Sequence, residues 1–179
     1  MKYIILLRGI NISGKNKISM VELKSKLITN NYKNVITYLN SGNVILESEY
    51  DTSYIKKDVN DIICKDFNLN IPVFVIKYDD LKDIYSNLPE FSLNNIDFYN
   101  NIIFILGDIN PIDIINEIGK PIDDIDTIQE YKTIIYWSYD LKKYQKSIWW
   151  KKTTSSQIKD MITIRTVNTI KKIIELCER

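Results

Sequence analysis

Histidine is absent from the 179-residue chain, alanine is absent as well, and only five glycines, four prolines and two cysteines occur. Without histidine the chain cannot form a Ser–His or Cys–His nucleophile pair, and the usual zinc sites are excluded. Any catalysis would have to use carboxylates, lysine, tyrosine or a bound metal. The missing alanine, beside abundant isoleucine, asparagine and lysine, indicates the coding bias of an AT-rich genome rather than a function.

Long hydrophobic runs are also missing. No apolar segment approaches the roughly 20 residues that a membrane helix needs, and the apolar run at residues 3–7 is too short for the core of a signal peptide. We therefore expect a cytoplasmic protein with no membrane partner. Cys64 and Cys177 each lie within an apolar helical pattern, which predicts buried free thiols rather than a disulfide.

The net charge of +1 conceals a strong separation of charge along the chain. Residues 1–78 carry 11 Lys/Arg and 7 Asp/Glu, residues 79–140 carry 3 and 13, and residues 141–179 carry 10 and 3. Two interpretations stay open. Either these are solvated faces that pair in the folded protein, or the two basic ends flank one anion site.

The hydrophobic pattern of the first half predicts a strand at residues 2–7, apolar on both faces and therefore central in a sheet. Ser19 and Glu22 fit a capping box for a helix from about Met20 to about Thr29. The remaining elements are a hairpin of strands 35–39 and 44–46 around residues 40–43, a helix capped by Thr52 or Ser53, and a strand at 73–76. The order β-α-β-β-α-β is ferredoxin-like, an α+β fold with a four-stranded antiparallel sheet.

The second half repeats β-α-β-β, which indicates a structural duplication and two ferredoxin-like lobes. Its predicted elements are a strand at 102–106, a helix bracketed by Asn110, Pro111 and Gly119, a hairpin of strands 127–131 and 134–139, a strand at 161–165, and a final helix capped by Thr166 or Asn168. The basic segment 141–160 has no clear pattern. We predict lobes at residues 1–78 and 100–179, joined by a connecting segment at 79–99.

Residues 8–16, which we call the glycine loop, follow the first strand and precede the first helix with the sequence Arg-Gly-Ile-Asn-Ile-Ser-Gly-Lys-Asn. Glycine amides, two cations and side-chain amides beside a helix N-terminus predict a site for an anionic group. The spacing of Gly9, Gly14 and Lys15 matches a phosphate-binding P-loop, but Asn16 replaces the hydroxyl that holds magnesium. The predicted hairpin also conflicts with the parallel sheet of a nucleotide triphosphatase. A glycine-bent connection without a ligand remains the alternative.

Three other features have weaker functional interpretations. An RNA-recognition domain is disfavoured because the third strand, at residues 43–46, lacks the aromatic side chains that stack on bases. Trp149 and Trp150 lie among lysines and could stack on nucleobases, but one core and one rim tryptophan is the commoner arrangement. The acidic turn at 123–126 is expected to be exposed, and we predict no metal site.

Several stretches together resemble the bacterial family DUF1697. They are residues 7–11 (Leu-Arg-Gly-Ile-Asn), 14–16 (Gly-Lys-Asn), Met20 with Leu23, 38–44 (Tyr-Leu-Asn-Ser-Gly-Asn-Val) and 163–169 (Thr-Ile-Arg-Thr-Val-Asn-Thr). The family pattern has Asn after the arginine, where this chain has Thr166. The resemblance implies an α+β fold with ferredoxin-like halves, but no established activity or cofactor.

We therefore expect a protein that binds a phosphate-bearing ligand, a nucleotide or a nucleic acid, between its lobes. An enzyme acting on a phosphorylated metabolite and a protein-interaction or structural module are the alternatives. The sequence assigns no catalytic residue, cofactor or oligomeric state. The predicted ligand-binding residues are Arg8, Gly9, Asn11, Ser13, Gly14, Lys15, Asn16, Ser41, Gly42, Asn43, Arg165 and Asn168.

Overall fold

A computed structural model describes residues 1–93, 97–155 and 157–179 of the chain. The chain divides into unit 1, which comprises Met1–Asp83 and Lys172–Arg179, and unit 2, which comprises Ile84–Lys171. The lobe boundaries predicted from the sequence stay a prediction, and residues 94–96 of the predicted connecting segment lie outside the described residues. No helix in the described ranges is long and apolar enough to span a membrane.

Unit 1 contains one antiparallel sheet with the strand order β2-β3-β1-β4. The predicted β-α-β-β-α-β order and the predicted hairpin are confirmed. The elements are β1 (Lys2–Leu7), α1 (Met20–Thr29), β2 (Lys33–Tyr38), β3 (Asn43–Glu47), α2 (Thr52–Phe67) and β4 (Val73–Lys77), followed by α3 (Tyr78–Ser86).

The core of unit 1 explains why β1 is central. Its alternate residues Tyr3, Ile5 and Leu7 are buried in one cluster with the apolar stripes of α1 and α2. Ile4 and Leu6 point to the opposite face and are equally inaccessible to solvent. A strand that is buried on both faces reads as a continuous apolar run, as the sequence predicted.

Local capping signals define the helices of unit 1. Ser19 Oγ accepts a hydrogen bond from the Glu22 amide at 3.3 Å, so α1 begins where the sequence predicted. The predicted capping residue of α2 was wrong. Asp51 caps the helix instead of Thr52 or Ser53, and its Oδ1 accepts a hydrogen bond from the Tyr54 amide at 2.8 Å. A carboxylate caps a helix as well as a hydroxyl does, and here it stands one residue earlier.

Unit 2 repeats the topology of unit 1, with an antiparallel sheet in the order β6-β7-β5-β8. The structural duplication is therefore confirmed. The elements are β5 (Phe98–Ile105), α4 (Pro111–Ile118), β6 (Asp126–Tyr131), β7 (Ile134–Asp140), α5 (Ile148–Ser155) and β8 (Ile162–Thr166), with 3-10 helices at Glu90–Ser92, Tyr144–Lys146 and Gln157–Met161. The last helix, α6 (Val167–Cys177), begins in unit 2, and its residues from Lys172 onward belong to unit 1.

Helix α5 was not predicted, although it supplies the second helix that the ferredoxin-like order requires. Its Trp149 is completely buried and packs with Ile103, Ile135 and Ile162 of the sheet. The final helix was predicted correctly, and Thr166 Oγ1 accepts from the Thr169 amide at 3.1 Å, as expected of a cap.

Candidate functional site

The glycine loop forms a small hairpin between β1 and α1. The Asn11 amide donates to the Asn16 carbonyl at 3.1 Å, and the Lys15 amide donates to the Ile12 carbonyl at 2.9 Å. Ser13 and Gly14, the two central residues, both have positive φ, 48° and 77°, as in a type I′ turn. The loop is therefore a two-residue hairpin whose residues 12–17 are all exposed, and it does not wrap a phosphate as a P-loop does.

Asn11 holds this hairpin in place. Its side-chain Nδ2 donates to the carbonyls of Ile18 and Asn40, both at 2.9 Å, and its Oδ1 accepts from the Ile18 amide at 2.9 Å. Both hydrogens of the amide group are thus used inside the protein. We assign Asn11 to positioning the loop against the β2–β3 turn rather than to contact with a ligand.

The turn between β2 and β3 is built tightly against the base of the glycine loop. Gly42 is buried with a φ of 83°, and its carbonyl accepts from the Leu7 amide at 2.8 Å. The fully buried Asn43 donates through Nδ2 to the Tyr38 carbonyl at 2.8 Å and to Ser41 Oγ at 3.2 Å. Gly42 and Asn43 therefore shape the turn, while Ser41 is exposed.

An open depression of about 520 Å³ lies between the hairpin and the start of α1. It is lined by Asn11, Gly14, Lys17, Ile18, Ser19, Met20, Val21 and Asn40. None of these eight residues is acidic, and the amino end of α1 contributes the positive end of its dipole. Glu22 is exposed in the first turn of α1, and its carboxylate would repel an anion bound at the start of that helix.

Lys17 is the cation that sequence reasoning missed in this depression. It stands two residues before the cap Ser19, outside the P-loop-like spacing that directed attention to Lys15. No local pattern indicated Lys17, because the depression is completed by Asn40 of another loop. Lys15 and Lys17 are both exposed on the hairpin.

The predicted site residues differ widely in exposure. Those exposed are Ser13, Gly14, Lys15, Asn16, Ser41 and Asn168; Arg8, Gly9 and Asn11 are half-buried; Gly42, Asn43 and Arg165 are buried. All but two of them belong to unit 1. The convergence of the unit 2 residues with the glycine loop stays a prediction.

Arg165, in β8 of unit 2, was predicted to bind the ligand, and a cation in that role is expected to be at least partly exposed. It is 8% exposed, and its Nη1 donates to Thr163 Oγ1 at 3.1 Å and to the Ile164 carbonyl at 2.8 Å. The expectation is wrong because, although β8 is the edge strand of the sheet, the Arg165 guanidinium is held by these hydrogen bonds within unit 2 rather than being presented to solvent. Asn168, at the start of α6, is exposed.

The acidic turn also differs from its prediction. Asp123 and Asp124 are exposed, but Asp126 is only 4% exposed, and its Oδ1 accepts from Trp137 Nε1 at 3.0 Å and from Ser147 Oγ at 2.6 Å. It is buried because its carboxylate lies against Trp137 and Ser147, which are themselves buried. Within residues 1–93, 97–155 and 157–179, no three His, Cys, Asp or Glu side chains form a group that would hold a metal ion.

The cysteines are free, as predicted, but only one is buried. Burial raises the pKa of the Cys177 thiol to about 11, so this thiol is protonated near neutral pH and is a poor nucleophile. Cys64 is exposed on α2, and its predicted burial is wrong. It occupies a position beside the apolar stripe of that helix rather than in it.

Comparison with known proteins adds a family and a fold. A family model described as "Protein of unknown function (DUF1697)" matches residues 1–136. No curated relative matches the sequence. A solved structure of the conserved bacterial protein SP0830 from Streptococcus pneumoniae is similar over 98% of this chain and 97% of its own, with a TM-score of 0.86 and 23% identity. At that identity the similarity supports the fold and says nothing about a ligand.

Proposed function

Because the chain belongs to the DUF1697 family, which is described as of unknown function, we propose its function from the geometry of the site: the protein binds a phosphate-bearing ligand, a nucleotide or a nucleic acid, at the glycine loop of unit 1. The observation that carries this proposal is the depression beside the start of α1. It combines a helix N-terminus, the cation Lys17 and neutral hydrogen-bonding groups with a lining free of acidic side chains.

The charge of the surrounding sequence supports an anionic ligand. Residues 8–19 contain Arg8, Lys15 and Lys17 and no carboxylate. Lysine binds phosphate as a point charge without strict geometry, which suits an exposed hairpin. The Asn11 hydrogen bonds hold that hairpin beside the depression, so the backbone that carries Lys15 and Lys17 is ordered before a ligand arrives.

The openness of the depression favours a chain of phosphates over a single small molecule. Small-molecule sites bury most of their ligand in an enclosed cavity, whereas the lining of this depression comes from the exposed side of a hairpin and the first turn of a helix. Exposed lysines that contact successive phosphates are typical of sequence-independent nucleic-acid binding. We therefore favour a nucleic acid over a mononucleotide as the ligand.

A structural role is the second candidate, and the internal hydrogen bonding favours it for part of the set. Asn11, Asn43 and Arg165 all donate to groups of their own unit. If the exposed residues behaved in the same way, the glycine loop would serve only to connect β1 to α1. Phosphate binding and a purely structural role are distinguished by whether replacing the exposed lysines weakens ligand binding.

We expect Lys15→Ala and Lys17→Ala each to weaken nucleic-acid binding while leaving the melting temperature nearly unchanged, because exposed charges contribute roughly 0–1 kcal/mol to folding. Each lost phosphate contact should reduce the slope of log affinity against log salt by about 0.9 for a duplex and about 0.7 for a single strand. Fluorescence anisotropy of labelled oligonucleotides across a salt series measures this slope.

Lys57→Ala is the matched control, because Lys57 is an exposed lysine on α2 of the same unit. It should leave both affinity and slope unchanged. The phosphate site would be rejected if Lys15→Ala and Lys17→Ala had the same salt slope as Lys57→Ala and the wild type. It would also be rejected if the wild-type protein bound neither oligonucleotides nor nucleotides. Either result would leave the structural role as the remaining candidate.

A further inference from the structure

The basic segment that the sequence could not assign lies in unit 2 and is not used by the glycine loop. Residues 141–159 contain six lysines and no carboxylate, together with Trp149 and Trp150. In the structure this segment leaves β7, forms a 3-10 helix and then α5. Trp149 is in the core, as expected of one of the two tryptophans, and Trp150 is half-buried at the rim.

Four aromatic rings form a surface at this end of the unit 2 sheet, and we call them the aromatic surface: Tyr99, Tyr139, Tyr144 and Trp150. Tyr99 and Tyr139 are directly opposite each other on β5 and β7, with ring centroids 5.5 Å apart. Tyr144 meets Trp150 edge-on at 4.9 Å. Tyr99 is 42% exposed and the other three are half-buried, so each ring keeps an accessible portion.

The two pairs border the same apolar core. Tyr139, from the first pair, and Trp150, from the second, both pack against one core cluster of unit 2. Burial, followed by the neighbouring hydroxyls of Tyr99 and Tyr144, also raises the pKa of Tyr139 to about 12. The four rings therefore lie at the margin of one cluster, and aromatic rings on a water-exposed surface are an established feature of binding sites.

Lysines border the aromatic surface. Lys142 pairs with Asp97 at 3.2 Å and Lys143 with Asp140 at 3.5 Å, so the two carboxylates beside the rings are already opposed by cations. Lys146, in the 3-10 helix next to Tyr144, is exposed. Because the two pairs are balanced in charge, the exposed Lys146 adds a positive charge beside the rings, which favours a negatively charged partner.

We infer that the aromatic surface of unit 2 binds the unpaired bases of a single-stranded nucleic acid, while lysines of the segment 141–159 contact its phosphates. Every base has a flat face that stacks on an aromatic ring whatever its sequence, and lysines follow the backbone beside it. A duplex hides these faces inside its own stack. The inference concerns other residues than the glycine loop and goes beyond the phosphate site proposed there.

The test compares two fluorescent probes of equal length, an oligothymidine of about 20 nucleotides, which exceeds the footprint of one single-strand module, and an abasic oligomer with the same phosphates. Wild-type protein should bind oligothymidine more tightly than the abasic probe by about 5- to 150-fold for each stacked base. Tyr99→Leu should weaken oligothymidine binding only, and Tyr99→Phe, which keeps the ring, should retain it.

Tyr50→Leu is the control, because Tyr50 is a tyrosine of unit 1 that is 55% exposed and lies outside the basic segment. It should leave both probes unchanged. Trp150→Leu provides a second ring deletion, and its melting temperature is compared with that of Tyr99→Leu to confirm that both variants are folded.

The outcomes separate this inference from the proposed function. Equal affinity for the two probes, or equal losses in Tyr99→Leu and Tyr99→Phe, overturns the inference and leaves the glycine-loop site standing. If Lys15→Ala and Lys17→Ala leave nucleic-acid affinity unchanged while Tyr99→Leu still weakens oligothymidine binding, the proposed phosphate site fails and the inference holds. No binding of either probe overturns the inference, and the proposed function fails with it if duplex oligonucleotides and nucleotides are not bound either. A protein dimer that dissociates in Tyr99→Leu, without nucleic-acid binding, identifies a protein-docking surface instead.

Discussion

Gly42→Ala is expected to destabilise the protein strongly, because the new methyl group would enter a packed core. A Cβ at this position would lie 2.6 Å from Leu7 Cβ and 2.9 Å from Ile10 Cδ1, closer than real Cβ atoms approach other groups. Leu7 and Ile10 are both buried, so neither can move without disturbing the core of unit 1. The contact adds to a φ of 83°, which disfavours alanine independently.

The backbone strain and the steric overlap at Gly42 add to each other. The left-handed backbone costs an alanine about 1–2 kcal/mol, and inserting a methyl group into a packed core costs about 1–3 kcal/mol. We expect a total loss of about 2–5 kcal/mol, which lowers the melting temperature of a chain of this size by about 2–4 °C per kcal/mol. Thermal and urea unfolding followed by circular dichroism measure the loss.

Gly107→Ala is the matched control. Gly107 has the same φ of 83°, and a Cβ built there meets no atom within 4 Å. It should therefore show the backbone cost alone, and the difference between the two variants isolates the overlap with Leu7 and Ile10. Equal losses in the two variants would show that the turn between β2 and β3 moves away from the core without cost.

The second large effect is expected for Asn11→Gly, which should lower both stability and nucleic-acid affinity. Asn11 has a φ of 55°, so glycine preserves the backbone and removes only the side chain. Three hydrogen bonds of 2.9 Å are lost, including the one that satisfies the amide of the buried Ile18. At about 0.5–1.5 kcal/mol each, they amount to about 1.5–4.5 kcal/mol.

The loss of affinity follows from the same bonds. A hairpin that is no longer tied to Asn40 must be ordered when the ligand binds, and this ordering lowers affinity without the removal of any charge. The salt slope should therefore stay near the wild-type value, in contrast to Lys15→Ala. Anisotropy measurements at several salt concentrations distinguish the two kinds of loss.

Asn16→Gly serves as the comparison for Asn11→Gly. Asn16 also has positive φ, 46°, but its side chain makes one hydrogen bond, from Nδ2 to the Gly9 carbonyl at 2.9 Å. Its stability loss should be about one third of that in Asn11→Gly. If Asn11→Gly kept the wild-type melting temperature and still lost binding, Asn11 would be a ligand contact and its positioning role would be rejected.

Signals that act within a few residues made much of the fold predictable from the sequence. The Ser19 cap and the apolar stripe of α1 define that helix, since a cap and a periodicity depend only on near neighbours. The residues between β2 and β3 favour a reversal, and the hairpin followed from them. The resemblance to DUF1697 rested on the same short stretches, and the family model covers most of the chain.

The candidate site was less predictable, because the role of a polar side chain depends on what packs around it. Arg8, Lys15 and Asn11 belong to one stretch of sequence, yet Asn11 makes its hydrogen bonds inside the fold while Lys15 remains exposed. Lys17 was overlooked because nothing in its local spacing shows that it lines a depression formed together with Asn40 of another loop.

By itself the sequence determined the order of the elements, the antiparallel hairpins, the central position of β1 and the family, because each of these follows from local propensity and from the periodicity of apolar residues. Only the tertiary structure decided that α5 completes unit 2, that Arg165 and Asp126 are buried, and that Gly42 must lack a side chain. Burial and close approach depend on contacts between residues far apart in the chain, and no local pattern records those contacts.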